Sequence, residues 1–264
     1  MKEVTKQHIL NDKVCLVIPF HNEAKNVQPL IREWSELLHF HKIKFQILAI
    51  NAGSTDDTRG VLRSLDNEKL TVIDVQDKGH SKALIRGFKD ALKTNSGWIF
   101  HTDSDGQIRA LDFLKFWNER NSYQTQIGYR AQRIDGPLRG FLTSALSKIV
   151  STLFGTVIKD INISYRLYER DHLSILLEEI PSLTNHPNVF LSLLAAKTSD
   201  GIRQIPVVHR RRKFGKSSMN HFDLIFEFSR LVVELSTYRP IYNFKINEIK
   251  KLITKSKEKS AISR

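Results

Sequence analysis

Across the first 107 residues, short apolar runs of strand length alternate with longer segments whose apolar residues recur every three or four positions. The runs KVCLVIPF (13–20), FQILAIN (45–51), LTVIDV (70–75) and GWIFHTD (97–103) are rich in β-branched and aromatic residues and predict strands. Between them, EAKNVQPLIREWSELLHF places Val27, Leu30, Ile31, Trp34, Leu37 and Leu38 on one helical face. STDDTRGVLRSL opens on Ser/Thr/Asp capping chemistry, and HSKALIRGFKDALKT aligns Ala83, Leu84, Gly87, Phe88 and Leu92. A β-α-β-α-β-α-β order with strands apolar throughout predicts an α/β fold, its mostly parallel, Rossmann-like sheet covered by helices on both faces.

Such a sheet binds ligands beyond the carboxyl ends of its strands, and that is where the polar residues fall. HNE (21–23) follows the first strand, NAGSTDD (51–57) the second, QDKGHSK (76–82) the third and DSDGQ (103–107) the fourth. Their convergence on one edge predicts a nucleotide-binding catalytic cleft. After 107 the pattern predicts a short helix in ALDFLKFWNERN, a strand in TQIGYR, a helix in GPLRGFLTSALSKIVSTLFGT and a strand in INISYRLYER. A helix in NVFLSLLAAKT and a strand in IRQIPVVHR follow. The aromatics of FDLIFEFSRLVVEL read as the buried face of a helix, with a bilayer surface as the alternative. The expected organisation is a catalytic domain over 1–240, divided into a nucleotide-binding half (1–107) and an extension (108–240). A basic, polar tail with a frayed end occupies 241–264.

Composition narrows the class. Hydrophobic residues are 41% and charged residues 26% of the 264, close to the average of globular proteins. Cys15 is the one cysteine, which excludes an intramolecular disulfide and fits a reducing compartment. No apolar stretch approaches the ~18 residues of a spanning helix, and the N-terminus lacks a signal-peptide pattern; the expectation is a cytoplasmic protein, peripheral at the inner membrane surface. The net charge of +13 is uneven: residues 1–120 carry 18 basic and 16 acidic residues, so the excess lies in the second half. An anionic partner is implied: lipid headgroups, phosphorylated substrates or nucleic acid. Zinc-finger, RRM and homeodomain signatures are missing, which argues against nucleic acid.

Asp103 and Asp105 are like charges one residue apart, an arrangement that repels unless a cation sits between them. Hard oxygen donors at a strand end suit Mg²⁺ or Mn²⁺ carrying a diphosphate; Gly106 allows the turn that lets both side chains reach one ion, and Gln107 adds an amide oxygen or a water-mediated contact. Lys78, His80 and Lys82 surround Gly79 in a loop suited to neutralising a diphosphate. Arg130, Arg133 and Arg139, with Arg210, Arg211, Arg212, Lys213 and Lys216 ahead of Ser217 and Ser218, form two basic clusters whose guanidinium forks match phosphate oxygens. His101 reads as a packed core residue.

VIPFHNEAKNV, NAGSTDDT, DKGHSKALIRGFKDAL and DSDGQ, in this order and spacing, resemble the N-terminal half of family 2 glycosyltransferases with the GT-A fold. RAQRID, IKDINISYRLYERDHL and RRRKFGKSS are similar to the dolichol-phosphate mannosyltransferase and polyprenyl-phosphate glycosyltransferase branch. The resemblance implies a GDP- or UDP-sugar donor, Mg²⁺ or Mn²⁺ on Asp103 and Asp105 with Gln107 assisting, and inversion at the anomeric carbon. It further implies a polyprenyl (dolichyl or undecaprenyl) phosphate acceptor. Pro19, Glu23, Asn51, Gly53, Lys78 and Lys82 fall at donor-binding positions. Arg130, Arg133, Arg212, Lys216 and Ser217 fall at acceptor-phosphate positions. One departure stands out: members usually carry Asp-Asp-Gly-Ser where this chain has Asn51-Ala52-Gly53-Ser54, which puts the donor base in doubt and admits a catalytically silent relative. Asp160 matches a family position near the acceptor. For a hydroxyl acceptor, as in polysaccharide or lipopolysaccharide synthesis, it would be the general base; for a lipid phosphate no base is needed and Asp160 orients an arginine.

Overall fold

The computed structural model describes residues 12–76, 79–132, 134, 136–198, 201–214 and 220–262. Strands β1 (Lys13–Phe20), β2 (Lys44–Ala52), β3 (Leu70–Val75) and β4 (Trp98–Thr102) alternate with helices α1 (Ala24–Phe40), α2 (Thr58–Ser64) and α3 (His80–Ala91). The second half contributes α4 (Phe113–Glu119), β5 (Thr125–Arg130), α5 (Pro137–Phe154), β6 (Tyr165–Glu169), α6 (Arg170–Glu179), α7 (Pro187–Ala195), β7 (Arg203–Val207) and α8 (His221–Ile262). One sheet takes up all seven strands in the order β3-β2-β1-β4-β6-β5-β7. Its pairs are parallel except where β6 lies antiparallel to both β4 and β5. The α/β architecture, mostly parallel and helix-covered, is the GT-A arrangement that the motifs imply.

The chain winds outward from β1 through β2 to β3, then returns to the far side of β1 with β4. This reversal opens a crevice beyond the carboxyl ends of β1 and β4. Pro19 sits at that end of a central strand, where a missing N–H would ordinarily break a ladder. The β4 ladder stops at Val17↔His101, so Pro19 has only Ile50 of β2 opposite it.

Alternation along β1 and β4 divides the core between two faces. Val14, Leu16, Ile18 and Phe100 pack against Trp34 of α1 and Phe113 of α4, with Trp34–Phe100 and Phe100–Tyr165 ring centroids 5.4 and 4.7 Å apart. Cys15, Val17 and Ile99 face α3 and, beyond it, α5 to α8. Gly87 lets α3 lie this close, since a Cβ there would come within 2.5 Å of Val17 Cγ1.

Three expectations need correction. Residues 170–179, read from the sequence without a helix, form α6, which buries His172, Leu173 and Leu176. The tail expected from 241 is instead the second half of α8: Leu231, Leu235, Tyr238, Tyr242, Ile246, Ile249 and Ile253, spaced by threes and fours, keep one stripe buried through position 253. The same spacing turns two of the three expected core aromatics outward, while Phe228 packs partly buried against the core. Phe222 and Phe226 lie roughly opposite that stripe and are 84% and 65% exposed. Among the described residues no helix is long and apolar enough to cross a membrane.

Candidate active site

Four strand ends meet at the crevice. After β1, the backbone N–H of Glu23 donates to Thr58 Oγ1 at 2.8 Å and that of Ala24 to Asp56 Oδ2 at 3.2 Å. Asn22, held at φ 55°, accepts the Thr55 N–H on its Oδ1 at 2.8 Å. The loops after β1 and β2 are thereby tied into one wall, which carries Pro19, Glu23, Asn51 and Gly53.

Asn51, 5% exposed, donates its amide to Asp74 Oδ1 at 2.8 Å, and the two are register partners across β2 and β3. Arg59 and Arg63 hold the other Asp74 oxygen at 3.1 and 2.5 Å. Burial would raise the Asp74 carboxyl, but Asn51 and the two arginines outweigh it and hold it below the usual range. A carboxylate thus stands one strand away from the position where the motif lacks one.

β4 ends at Thr102, and the chain turns through Ser104, Asp105 and Gly106 at φ 65°. Asp103, Asp105, Gln107, Arg130, Ser164 and His209 line one cleft. Asp105 Oδ1 accepts the Gln107 backbone N–H at 3.0 Å, and its Oδ2 accepts from Arg212 at 3.0 Å. Arg212 also donates to Glu23 Oε1 at 3.0 Å, which closes the cleft between the ends of β1 and β4. Gln107 Nε2 donates to the Arg210 carbonyl at 3.3 Å, and the Arg210 N–H returns a bond to the Gln107 carbonyl at 2.7 Å. The Asp103 side chain is 43% exposed, yet its Oδ1 is buried and makes no hydrogen bond within normal distance among the described residues. Burial pushes its carboxyl above the usual range; His80 opposes this and Asp105 adds to it. Glu23 is raised as well, chiefly by burial, with Asn26 and Arg212 opposing.

On the acceptor side, Arg130 forks onto Asp160, Nε to Oδ2 at 2.7 Å and a terminal nitrogen to Oδ1 at 2.9 Å. Asp160 is 3% exposed. Both of its oxygens serve a guanidinium, which ill suits a base that must take a proton.

The sequence profile of "Glycosyl transferase family 2" matches residues 15–150. The chain belongs to this family. A curated relative, undecaprenyl-phosphate 4-deoxy-4-formamido-L-arabinose transferase of Klebsiella pneumoniae (strain 342), is 24% identical over 230 residues, covering 85% of this chain and 68% of the relative. Among solved structures, glucosyl-3-phosphoglycerate synthase from Mycobacterium tuberculosis, crystallised with Mn²⁺, uridine diphosphate and glucosyl-3-phosphoglycerate, superposes with a TM-score of 0.64 at 17% identity over 86% of this chain and 80% of that one. Mannosyl-3-phosphoglycerate synthase from Rubrobacter xylanophilus gives 0.59 at 16% identity over 88% and 75%.

In this family 2 glycosyltransferase the structure brings Glu23, Asp103, Asp105, Gln107, Arg130, Asp160 and Arg212 together at one crevice, with Lys82 exposed in the first turn of α3. Lys78, Arg133, Lys216 and Ser217 lie outside the described residues. The basic run is not a row of solvated charges: Arg210 pairs with Glu33 at 3.1 Å, and Arg212 with two carboxylates. Sequence reasoning missed Asp74, His209 and Asp112. His209, 6% exposed at the exit of β7, lines the cleft with both aspartates. Asp112 accepts the Val208 N–H at 3.0 Å and so anchors that exit. Their strand-end and helix-start positions were the available signal.

Proposed function

We propose that this transferase moves a sugar, with inversion, from a nucleotide-diphospho-sugar to a polyprenyl phosphate. Residues up to 107 hold the donor and residues 108–240 the acceptor. The observation that carries the acceptor choice is the fork of Arg130 on Asp160: the carboxylate holds a guanidinium in place instead of waiting for a hydroxyl proton. A lipid phosphate arrives already anionic and needs orientation, which Arg130 and Arg212 supply from opposite sides of the cleft, with Arg133, Lys216 and Ser217 as the remaining candidates. The undecaprenyl-phosphate specificity in the name of the Klebsiella relative supports the same choice.

The donor wall is Pro19, Glu23, Asn51 and Gly53, with Lys82 for the diphosphate and Lys78 as a further candidate. UDP in the Mycobacterium structure supports a uridine nucleotide. The donor set fits a divalent metal, Mg²⁺ or Mn²⁺: two carboxylates share the cleft, and the buried Oδ1 of Asp103 makes no hydrogen bond among the described residues. Asp103 and Asp105 would hold the ion, with Gln107 beside them. Once bound, it stabilises the departing nucleoside diphosphate as a Lewis acid. Arg212 keeps Asp105 and Glu23 in register until then.

Contact with a bilayer falls to the outer face of α8, where Phe222, Phe226 and Phe244 are 84%, 65% and 63% exposed, in the half of the chain that carries the basic excess. This supports a peripheral position at the cytoplasmic membrane surface. The test is transfer of labelled sugar from a panel of UDP- and GDP-sugars, with Mn²⁺, to undecaprenyl phosphate in detergent, with undecaprenol as control. Label in the lipid phosphate alone is expected. Equal labelling of undecaprenol, or transfer only to soluble hydroxyl acceptors, overturns the reading.

A further inference from the structure

Arg166 is fully buried on β6, between His101 of β4 and Ile127 of β5. Among the described residues its guanidinium is paired with no carboxylate, and every arm goes to a neutral oxygen. Nε donates to the Ile163 carbonyl and one terminal nitrogen to the Ile161 carbonyl. The other terminal nitrogen donates to the Asn188 carbonyl at 2.8 Å, to Ser192 Oγ at 2.6 Å and to Tyr168 Oη at 3.3 Å. Burying a cation without a counter-ion is costly, and an apolar side chain in such a place is often neutral or stabilising. Stability alone does not account for this arginine; what it holds does.

Two of those carbonyls belong to the turn that carries Asp160 into the cleft. The Ile163 N–H donates to the Asp160 carbonyl at 3.3 Å and closes the turn. Asn162, Ile163 and Ser164 then line the cleft with Asp103, Asp105 and Arg130. Asp160 accepts the fork of Arg130 and, at 3.4 Å, the Arg130 backbone N–H. Ser192 of α7 adds a second tie, its Oγ lying 3.3 Å from the Ile161 carbonyl and 2.7 Å from that of Asn188. The start of α7 and the turn 160–163 are thus joined through one guanidinium.

We propose that Arg166 is a positioning residue for the acceptor phosphate: it holds the turn 160–164 from behind, so that Asp160 presents Arg130 to the cleft at one fixed place. The inference rests on the transferase reading for what Arg130 grips. Arg166 itself is buried and touches no substrate. Carbonyls as far apart in the chain as Ile161, Ile163 and Asn188 are met together by a planar donor with several arms. Lysine keeps the charge, but its three donors sit on one atom and cannot span them. A shift of about 1 Å that starts far from the chemistry can cost on the order of a hundredfold in rate. Loss of this hold therefore reaches the reaction although Arg166 does not.

The test compares Arg166→Lys and Ser192→Ala with wild type, all full-length, in transfer to undecaprenyl phosphate in detergent from the UDP- or GDP-sugar that supports transfer. A thermal scan and amide hydrogen exchange by mass spectrometry accompany the kinetics. Arg166→Lys is expected to raise the acceptor KM by about tenfold or more and to leave the donor KM within about twofold. Exchange should quicken over 160–164 while β1 and β4 stay protected. Ser192→Ala keeps the arginine but removes one of its partners, and should show the same pattern by a smaller factor; it decides alone if Arg166→Lys does not fold. A role confined to stability would lower the melting temperature and leave both KM values in place. That result overturns the proposal, as does an equal rise in donor and acceptor KM. A wild-type protein that transfers no sugar overturns the transferase reading instead, and exchange then decides: quickening confined to 160–164 upholds the hold by Arg166, and unchanged exchange overturns it.

Discussion

Arg212 donates to Asp105 Oδ2 at 3.0 Å while its other arm holds Glu23, so one side chain joins the end of β1 to the acidic turn after β4. Lysine keeps the charge at this place but not the fork. Arg212→Lys is therefore expected to lower kcat/KM by about tenfold or more with little change in melting temperature, read from steady-state kinetics beside a thermal scan.

Asp105 accepts from the Gln107 N–H and from Arg212 at once. Asp105→Asn keeps the shape and the bond from the Gln107 N–H but removes the charge. Transfer should fall by more than about a hundredfold, since even outer-shell partners of a metal cost 10–100-fold when lost. Circular dichroism matching wild type would assign the loss to the site. Activity within about threefold of wild type would remove Asp105 from the machinery.

Asp112 is 1% exposed and pairs with Lys115 at 2.7 Å while accepting the Val208 N–H. Burial alone would raise its carboxyl; Lys115, Val208 and Arg109 outweigh burial and hold it below the ordinary 3.8. A depressed carboxyl stabilises the fold fully above its unfolded value, and the contribution is lost as pH falls through the depressed one. Asp112→Asn should therefore cost about 1–3 kcal/mol at neutral pH and flatten the acid limb of stability below pH 3.8. Urea melts at several pH values measure both.

At Gly87 the α3–β1 approach leaves no room for a methyl group, since the added carbon would sit 2.5 Å from Val17 Cγ1 and 3.0 Å from Ile50 Cγ1. Gly87→Ala gains helix propensity but overpacks the core, and the second effect wins at about 1–3 kcal/mol of destabilisation. A drop of several degrees in melting temperature is the expected reading.

Cys15 is buried on the β1 face under α3, and burial pushes its thiol up to about 12. Disulfide reagents at pH 8 should leave the native protein untouched and label one thiol per chain after denaturation. Rapid native labelling would contradict the packing of β1.

Much of this molecule was legible in its sequence, for identifiable reasons. The bounds of β1, β3 and β5 match the apolar runs because each is closed on both sides by polar or turn-forming residues. α6 went unread because its apolar stripe is short and follows a strand without a break. The sheet order was hidden, since no local pattern says that β6 enters between β4 and β5. The acidic pair was visible because it ends the fourth of four strands, each followed by a polar loop. Asp74 and Asp112 were not: their partners, Asn51 and Val208, lie 23 and 96 residues away, and only folding makes them neighbours.

The antiparallel seating of β6 against β4 bears on biosynthesis. A nascent chain that has emerged only as far as Gln107 presents β4 with its outer backbone groups unpaired, because the strand that seals them follows α4, β5 and α5. Such a raw margin invites pairing with other chains. That margin of β4 closes only once Glu169 has emerged.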